Sequence, residues 1–280
     1  MKRWMKVTGV LVGVALAFVL LGMRSDLCVR HYVVELEGLT SPVRIALIAD
    51  LHSCDYGEGQ RELAEAIDAE APDLVLLAGD FFDDVLPDNN AETLLEALGG
   101  RFPCYYVTGN HEYWAGSAAL AKKLEIVGRC GAVNLGGKLE TVTVRGQALN
   151  LCGLDDPHAF GGSTLAEREA GWMAQLEAVA AMDRGGRPTF LLSHRPEYFE
   201  CYADRDFDLV LAGHAHGGQW RIPGLLNGLY APGQGWFPKY AGGIYRRGDA
   251  TMVVSRGLAR ESTRLPRFCN PPELVIVELR

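Results

Sequence analysis

Five short polar groups in this 280-residue chain combine His, Asp, Asn and Glu side chains that could bind a metal ion. Each group directly follows an apolar run: Asp50-Leu51-His52, Gly79-Asp80, Gly109-Asn110-His111-Glu112, Ser193-His194 and Gly213-His214-Ala215-His216. Imidazole, carboxylate and amide ligands without thiolate suit Mn²⁺, Fe or Zn²⁺ better than Ca²⁺ or Mg²⁺. Two such cations neutralise phosphate oxygens and make hydroxide available near neutral pH. The pattern therefore predicts phosphoester hydrolysis at two divalent metal ions, with Mn²⁺ expected first and Fe or Zn²⁺ as alternatives.

Each group also has a local explanation when it is taken alone. An Asp or Asn after a strand is often a turn former or a helix N-cap, and a lone histidine is more often a satisfied polar residue than a ligand. The five groups, however, share the same apolar-then-polar pattern and hold five of the seven histidines. The repetition favours one shared metal site over five independent turns.

The polar groups can meet only if the apolar runs before them are neighbouring strands. Runs bounded by turn residues predict five strands, at Arg44–Ala49, Leu74–Ala78, Tyr105–Thr108, Thr189–Leu192 and Leu209–Ala212. Helical patterns follow the first three of them, at Glu58–Glu70, Ala91–Leu98 and Ser117–Val127. Strand–helix alternation predicts a largely parallel sheet, whose ligand crevice lies outside the carboxyl ends of the strands.

The rest of the chain fits one α/β domain. Lys138–Leu154 contains two alternating runs about Arg145-Gly146-Gln147, which predicts a hairpin, and Thr164–Ala181 has a helical composition. A last strand is predicted at Glu273–Leu279. We therefore expect an α/β fold with a two-sheet β-sandwich flanked by helices, in residues 31–280, after an N-terminal hydrophobic helix in residues 1–30.

The five polar groups resemble, in order and type, the signature blocks of the calcineurin-like metallophosphoesterases, over roughly Val43 to Ala215 and beyond. That resemblance implies a four-layer α/β/β/α fold. Later segments are similar to a branch of small bacterial membrane-associated phosphodiesterases, like the enzymes that hydrolyse UDP-2,3-diacylglucosamine: His216-Gly217-Gly218-Gln219, Pro232-Gly233-Gln234-Gly235, Phe237-Pro238-Lys239-Tyr240, Ser255-Arg256-Gly257-Leu258 and Asn270-Pro271-Pro272-Glu273.

The resemblance also implies a role for each matching residue. It assigns seven metal ligands: Asp50, His52 and His216 to the first ion, Asn110, His194 and His214 to the second, and Asp80 as the bridge. His111 would not bind a metal ion and would act on the leaving-group oxygen as general acid or stabilise charge there. Glu112, where many relatives carry Asp, would orient His111 or stabilise its charge.

Residues around these groups allow more than one interpretation. Asp83 and Asp84 are expected in a solvated loop, not as added ligands. Arg195 could meet a substrate phosphate or pair with Glu197 at the surface, and His158 could line the substrate approach or be a plain loop residue. The aromatic side chains of Gln219–Tyr240 could form a lipid-facing rim or fill the core of the second sheet.

The N-terminal sequence predicts a membrane anchor. Val7–Met23 is an uncharged run of 17 residues, which is at the short end of a membrane span. Lys2, Arg3 and Lys6 precede it, so the positive-inside rule places the catalytic domain outside the cytoplasm. A cleaved signal peptide is the alternative, because Ala15-Leu16-Ala17 has a small-x-small pattern, but the apolar run continues beyond it.

The amino-acid composition limits the classes of binding partner. The net charge of −8 and the pI near 5.4 disfavour nucleic acid, which usually binds to a basic surface. The seven scattered cysteines suggest buried apolar residues and leave room for one disulfide.

The leading functional hypothesis is hydrolysis of a phosphodiester or pyrophosphate bond by a metal-bridging hydroxide. A UDP-2,3-diacylglucosamine-type lipid-precursor hydrolase, with a lipid-linked phosphoester as substrate, is the first alternative. A non-catalytic membrane-tethered binding protein is the second, and the complete ligand set disfavours it. The sequence does not fix the oligomeric state.

Overall fold

The computed structural model describes residues 2–260 and 266–280 of the chain. Its fourteen strands form two six-stranded sheets and one small hairpin. The first sheet contains β1 (Cys28–Val34), β2 (Val43–Ile48), β3 (Leu74–Ala78), β4 (Cys104–Val107), β5 (Val133–Asn134) and β14 (Glu273–Leu279). The second contains β6 (Leu139–Val144), β7 (Gln147–Gly153), β8 (Thr189–Leu192), β9 (Leu209–Ala212), β12 (Gly243–Arg247) and β13 (Ala250–Val254). The small hairpin pairs β10 (Tyr230–Ala231) with β11 (Gly235–Trp236).

Both large sheets are mostly parallel. The first has the order β1-β14-β2-β3-β4-β5, and only the β14–β2 pair is antiparallel. The second has the order β12-β13-β9-β8-β7-β6, with antiparallel pairs at its two edges. Strands β2, β3 and β4 of the first sheet are therefore parallel to one another, as are β8 and β9 of the second, and the carboxyl ends of these five strands lie at a common edge.

Helices cover the outer faces of the sheets, and the two inner faces pack on each other. Within the described residues, the seven α-helices are α1 (Lys2–Gly22), α2 (Arg61–Glu70), α3 (Asn89–Leu98), α4 (Asn110–Trp114), α5 (Ser117–Arg129), α6 (Leu165–Ala180) and α7 (Phe199–Ala203). Along β2, Ala46 and Ile48 pack towards the side of α2, α3 and α5, whereas Ile45 and Leu47 pack towards the second sheet. A third buried cluster joins the second sheet to α6 and α7. The expected α/β/β/α layers are confirmed.

The strands that carry the site could be located in the sequence, because these short strands are buried on both faces and therefore appear as continuous apolar runs. The predicted bounds of β3, β8, β9 and β14 are those observed. The helix predicted from Glu58 begins at Arg61, because Gly59 and Gln60 adopt left-handed backbone, with φ of 65° and 58°, and break the first turn. Helix α6 begins after Thr164, whose side chain and Glu167 form a capping box.

Strand β1 was not predicted. It lies at the edge of the first sheet, paired with β14 alone, and its alternation is weak because several of its side chains face solvent. Its first three residues, 28–30, fall within the segment that the sequence analysis grouped with the anchor. All seven cysteines lie within the described residues and are free thiols.

The N-terminal helix α1 is almost entirely exposed. Its segment Trp4–Gly22 has 19 residues with a mean hydropathy of 2.2, and within the described residues it is the one helix long and apolar enough to cross a membrane. A signal sequence has the same properties. The helix touches the folded domain at its C-terminal end, where a Cβ added to Gly22 would lie 2.4 Å from the ring of Phe268.

Candidate metal centre

The five polar groups converge at the common carboxyl edge of the two sheets. Asp50, Asp80 and Asn110 follow β2, β3 and β4, while His194 follows β8 and the pair His214 and His216 follows β9. Five of the seven predicted ligands leave their strands in left-handed backbone: Asp50 (φ 51°), His52 (φ 50°), Asp80 (φ 48°), His214 (φ 67°) and His216 (φ 46°). Such backbone costs on the order of 1 kcal/mol or more for a non-glycine residue and clusters at functional sites.

Glycines give these turns the room they need. A Cβ on Gly109 would lie 2.3 Å from Asp80 Oδ1, and a Cβ on Gly257 would lie 2.6 Å from Asp50 Oδ2. Any larger residue at either position would push into a carboxylate of the site. The glycine that precedes Asn110 therefore has a packing reason beyond turn formation.

Two groups of potential ligand atoms share one carboxylate. One group contains Asp50, His52, Asp80 and His216, and the other contains Asp80, His194 and His214, with all atoms of each group within 4.8 Å of one another. His194 Nε2 lies 3.1 Å from Asp80 Oδ2, and His52 Nε2 lies 3.7 Å from the same oxygen. Asp80 therefore stands between two ligand sets, as a bridging carboxylate must.

The seventh predicted ligand, Asn110, is also buried in this region. Its Oδ1 and His52 Nε2 are buried and have no hydrogen-bond partner among the described residues. A buried polar atom without a partner costs about 1–3 kcal/mol, so native proteins rarely keep one without a reason. A cation bound to each of these atoms would remove that cost. Amide oxygen and imidazole nitrogen are donors that suit divalent metal ions.

Burial and neighbouring charges set the protonation states of the ligand side chains. Burial lowers the pKa of His214 and of His216 well below the ordinary value, and nearby positive groups lower it further, so both imidazoles are neutral. Burial alone would raise the pKa of Asp80, but the adjacent histidines, led by His194, hold it well below the usual range. Burial lowers the pKa of His194, but the charge of Asp80 and the hydrogen bond to it raise that pKa to about 10, so a cation bound here would displace a proton from this imidazole.

His111 stands at the mouth of this cluster. Its backbone N–H donates to Asp80 Oδ1 at 2.8 Å, and its Nε2 lies 4.0 Å from Asp80 Oδ2. Its Nδ1 lies 2.6 Å from Asp84 Oδ1 and 3.2 Å from Asp83 Oδ1. Burial lowers the pKa of His111, but the hydrogen bond to Asp83 and the charges of Asp80 and Asp84 raise it to about 9. His111 therefore carries a proton at neutral pH.

The expectation that Asp83 and Asp84 occupy a solvated loop is wrong for Asp83. Its side chain is buried and lies 3.1 Å from His52 Nδ1, the nitrogen opposite the unpartnered Nε2. Its second oxygen accepts backbone hydrogen bonds from Val85 and Leu86, which fold the loop back onto the site. Asp84 is partly exposed and contacts His111. The residue pattern does not predict that the loop folds back in this way, because the direction depends on loop geometry.

The role that the resemblance implied for Glu112 does not match its position. Its carboxylate accepts backbone N–H bonds from Gly109, Asp80, Phe81 and Phe82 at 2.8–3.1 Å, and among the described residues the hydrogen bonds of the His111 ring go to other carboxylates. Glu112 is the third residue of α4 and accepts the backbone N–H of Gly109, the residue before the helix, which turns its side chain back towards the preceding loop. Asp83 and Asp84 hold His111 instead.

Arg195 lies inside the site wall and not at the surface. It donates to both oxygens of Asp156, at 2.5 and 3.1 Å, and its Nη1 lies 2.8 Å from His214 Nε2. The expected pairing with Glu197 is present at 3.4 Å, but it is secondary to the Asp156 contact. His158 is bound to the same carboxylate, with its Nδ1 2.7 Å from Asp156 Oδ1.

Sequence reasoning did not single out Trp114. This side chain is 54% exposed at the end of α4, and its ring lies 4.5 Å from the His111 ring and 5.7 Å from the His158 ring. The three rings form an open aromatic edge on the His111 side of the metal cluster. A position three residues after His111 on a helix could have suggested this contact, since such residues share a face.

Comparison with known proteins agrees with this geometry. Residues 43–218 match the family described as calcineurin-like phosphoesterase. Phosphodiesterase YaeI of Escherichia coli is 26% identical over 256 residues, which cover 90% of this chain and 87% of that protein. A relative from Helicobacter pylori, an uncharacterized metallophosphoesterase, is 27% identical over 268 residues, and this chain spans 63% of its length. The crystal structure of TT1561 from Thermus thermophilus shares the fold, with a TM-score of 0.51, 13% identity and coverage of 79% of this chain and 92% of that one.

The family match spans more than half of the chain and includes every residue of the metal cluster. The metal cluster has two ligand sets that share the Asp80 carboxylate. The chain therefore belongs to the calcineurin-like phosphoesterase family and is a metal-dependent hydrolase.

Proposed function

We propose that this protein hydrolyses a phosphodiester or pyrophosphate bond at a centre of two divalent metal ions. The observation that carries the proposal is the pair of ligand sets sharing Asp80, with the His111 ring beside them and its Nδ1 held by Asp84 and Asp83. The first set is Asp50, His52 and His216, and the second is Asn110, His194 and His214. Mn²⁺ is the ion we expect, and Fe or Zn²⁺ are the alternatives.

The metal ions, when bound, would supply Lewis acidity at the phosphate and a water of lowered pKa. The protein supplies the remaining groups. His111 holds a proton at the site mouth and can deliver it from Nε2 to the departing oxygen, because Nδ1 is occupied by Asp83 and Asp84. Glu112 fixes the loop that carries Asp80, and Asp83 fixes the ring of His52 through Nδ1.

The test is replacement of the shared ligand. Asp80→Ala should lower the activity on bis-p-nitrophenyl phosphate with Mn²⁺ by more than about 100-fold, since even outer partners of metal ligands are worth about 10- to 100-fold. Glu125→Ala, an exposed acid on α5, is the control that should leave the rate unchanged. Retained activity in Asp80→Ala would refute the proposal. A wild-type protein that binds no transition metal by elemental analysis would favour a non-catalytic binding protein.

A second candidate function is hydrolysis of a lipid-linked phosphoester, such as a UDP-2,3-diacylglucosamine-type precursor. It is favoured by α1, which is long and apolar enough to cross a membrane. We propose that α1 is an uncleaved single-pass anchor, that the catalytic domain follows from about residue 31, and that it lies outside the cytoplasm. The edge strand β1 begins at Cys28, so the anchor itself is α1. Faster turnover of nucleotide-linked lipid than of soluble diesters would support this candidate, and equal rates would remove it.

A further inference from the structure

An apolar surface lies on the segment that follows the last metal ligand. It consists of six exposed side chains, here called the aromatic loop surface: Trp220, Ile222, Leu225, Tyr230, Trp236 and Phe237. Trp236 and Phe237 are each 68% exposed. Tyr240, by contrast, is buried against Phe199 and Tyr245 and belongs to the core. Large exposed apolar side chains concentrated on one segment are typical of a binding surface or a membrane contact.

The surface is joined to the end of α1. The Phe268 ring lies 5.5 Å from the Phe18 ring of α1 and 5.8 Å from the Trp220 ring. The backbone N–H of Cys269 donates to the carbonyl of Gly22 at 2.7 Å. The last turn of the apolar helix and the first residue of the aromatic loop surface therefore pack on the same short segment.

Backbone hydrogen bonds tie the hairpin of the surface to Gly218, whose carbonyl also accepts from Trp220 at 2.7 Å. Leu229 donates to the carbonyl of Gly218 at 2.9 Å, and Phe237 donates to the carbonyl of Leu229 at 2.8 Å. The hairpin between them brings the Tyr230 and Trp236 rings to 5.5 Å. The loop is thus a braced structure, and its aromatic residues are of the types that concentrate at membrane–water interfaces.

We propose that the aromatic loop surface sits in the interfacial layer of the membrane that α1 enters, and so presents the metal centre at the level of lipid head groups. This inference rests on the proposed anchoring by α1. The C-terminal end of a spanning helix lies at the interface, and Trp220 is held beside that end through Phe268. Trp220 follows the ligand His216 by four residues, so their Cα atoms are at most about 14 Å apart. The occupant is a lipid surface, because the patch is continuous with the apolar helix that would enter it.

The test uses the five tryptophans of the full chain as depth reporters in vesicles of phosphatidylcholine brominated on the acyl chains. Trp172 is buried and stays in every variant. An anchor reporter keeps Trp4, a surface reporter keeps Trp220 and Trp236, and a control keeps Trp114, with the other tryptophans changed to Phe. Emission in brominated vesicles is compared with emission in unbrominated ones.

We expect the anchor and surface reporters to lose emission and the Trp114 control to keep it. If the anchor reporter is quenched but the surface reporter matches the control, the surface inference is overturned while the anchor stands. If the anchor reporter is not quenched, the membrane attachment fails and the inference fails with it. Contact of the surface with a second copy of the chain instead of lipid would also leave the surface reporter unquenched. Hydrolysis of bis-p-nitrophenyl phosphate, measured separately, tests the catalytic proposal independently of all three results.

Discussion

Replacing Asp156 by asparagine should destabilise the wall of the metal centre. The Asp156 carboxylate is fully buried and accepts hydrogen bonds from Arg195 Nε and Nη2 and from the backbone N–H of His158. Asparagine keeps the shape of the side chain but removes the charge that compensates the guanidinium. Because Arg195 also contacts His214, the loss should be felt at the second ligand set.

Two lines of reasoning give the size of the effect. Removing one partner of a buried ion pair typically costs about 3–5 kcal/mol, because the other charge stays buried without compensation. Burial raises the pKa of Asp156, but the charge of Arg195 and the hydrogen bonds from His158 and Arg195 outweigh it and lower the pKa to about 2. Against an unfolded value near 3.9, that shift corresponds to about 2.5 kcal/mol. We therefore expect Asp156→Asn to lower the free energy of unfolding by about 3 kcal/mol at pH 7.

The pH dependence follows from the direction of the shift. A carboxyl whose folded pKa is depressed stabilises the protein above its unfolded pKa, and this stability is lost as the pH falls through the folded pKa. The difference between wild type and Asp156→Asn should therefore be full at pH 7 and should narrow as the pH falls from about 4 towards 2.

The assay is urea unfolding followed by circular dichroism, at pH 7 and at several lower values. The control is Asp204→Asn, whose exposed carboxylate lies 3.4 Å from Arg247 and should contribute about 1 kcal/mol or less. Equal unfolding midpoints for Asp156→Asn and wild type at pH 7 would refute the reasoning, as would a difference that does not shrink in acid.

Three further predictions concern the site itself. His111→Asn should slow hydrolysis by about 10²- to 10⁴-fold for substrates with poor leaving groups and much less for p-nitrophenyl esters, since a good leaving group needs no proton; equal losses in steady-state assays would exclude the acid role. Glu112→Gln should lower the free energy of unfolding by about 1–3 kcal/mol, because the NH₂ group of Gln cannot accept the two backbone N–H bonds that one carboxylate oxygen accepts, and it should leave the leaving-group dependence unchanged. Chelation followed by dialysis should lower the melting temperature, and Mn²⁺ at 100 times its Kd should restore about 2.7 kcal/mol; a melting temperature insensitive to metal would contradict a site built on these ligands.

Some features of the site were visible in the sequence because they are local. The strands before Asp80, His194 and His214 are short apolar runs, and their bounds could be read from the sequence. The residue types at the strand ends indicated metal ligands, and the rule that parallel strands end at a common edge brought them together. The N-terminal helix was equally visible, because length and apolarity are properties of one segment.

Other features depend on side-chain direction in loops, which periodicity does not encode. Glu112 was expected to orient His111, yet its place in the first turn of α4 directs its carboxylate to the backbone around Asp80. Asp83 was expected to face solvent, yet the loop after β3 folds back and buries it against His52. In both cases the direction of one side chain decides its role.

The sequence by itself determined which chemistry this protein can perform, because ligand types and strand ends are fixed by residue identity and local pattern. Only the tertiary structure decided which side chains support that chemistry. Arg195 and Asp156 are separated by 39 residues and meet because β7 and β8 are neighbours in the second sheet. The aromatic loop surface acquires its significance from Phe268, which joins Trp220 to a helix about 200 residues earlier in the chain. Contacts between segments so far apart arise from packing, and packing is a property of the folded whole.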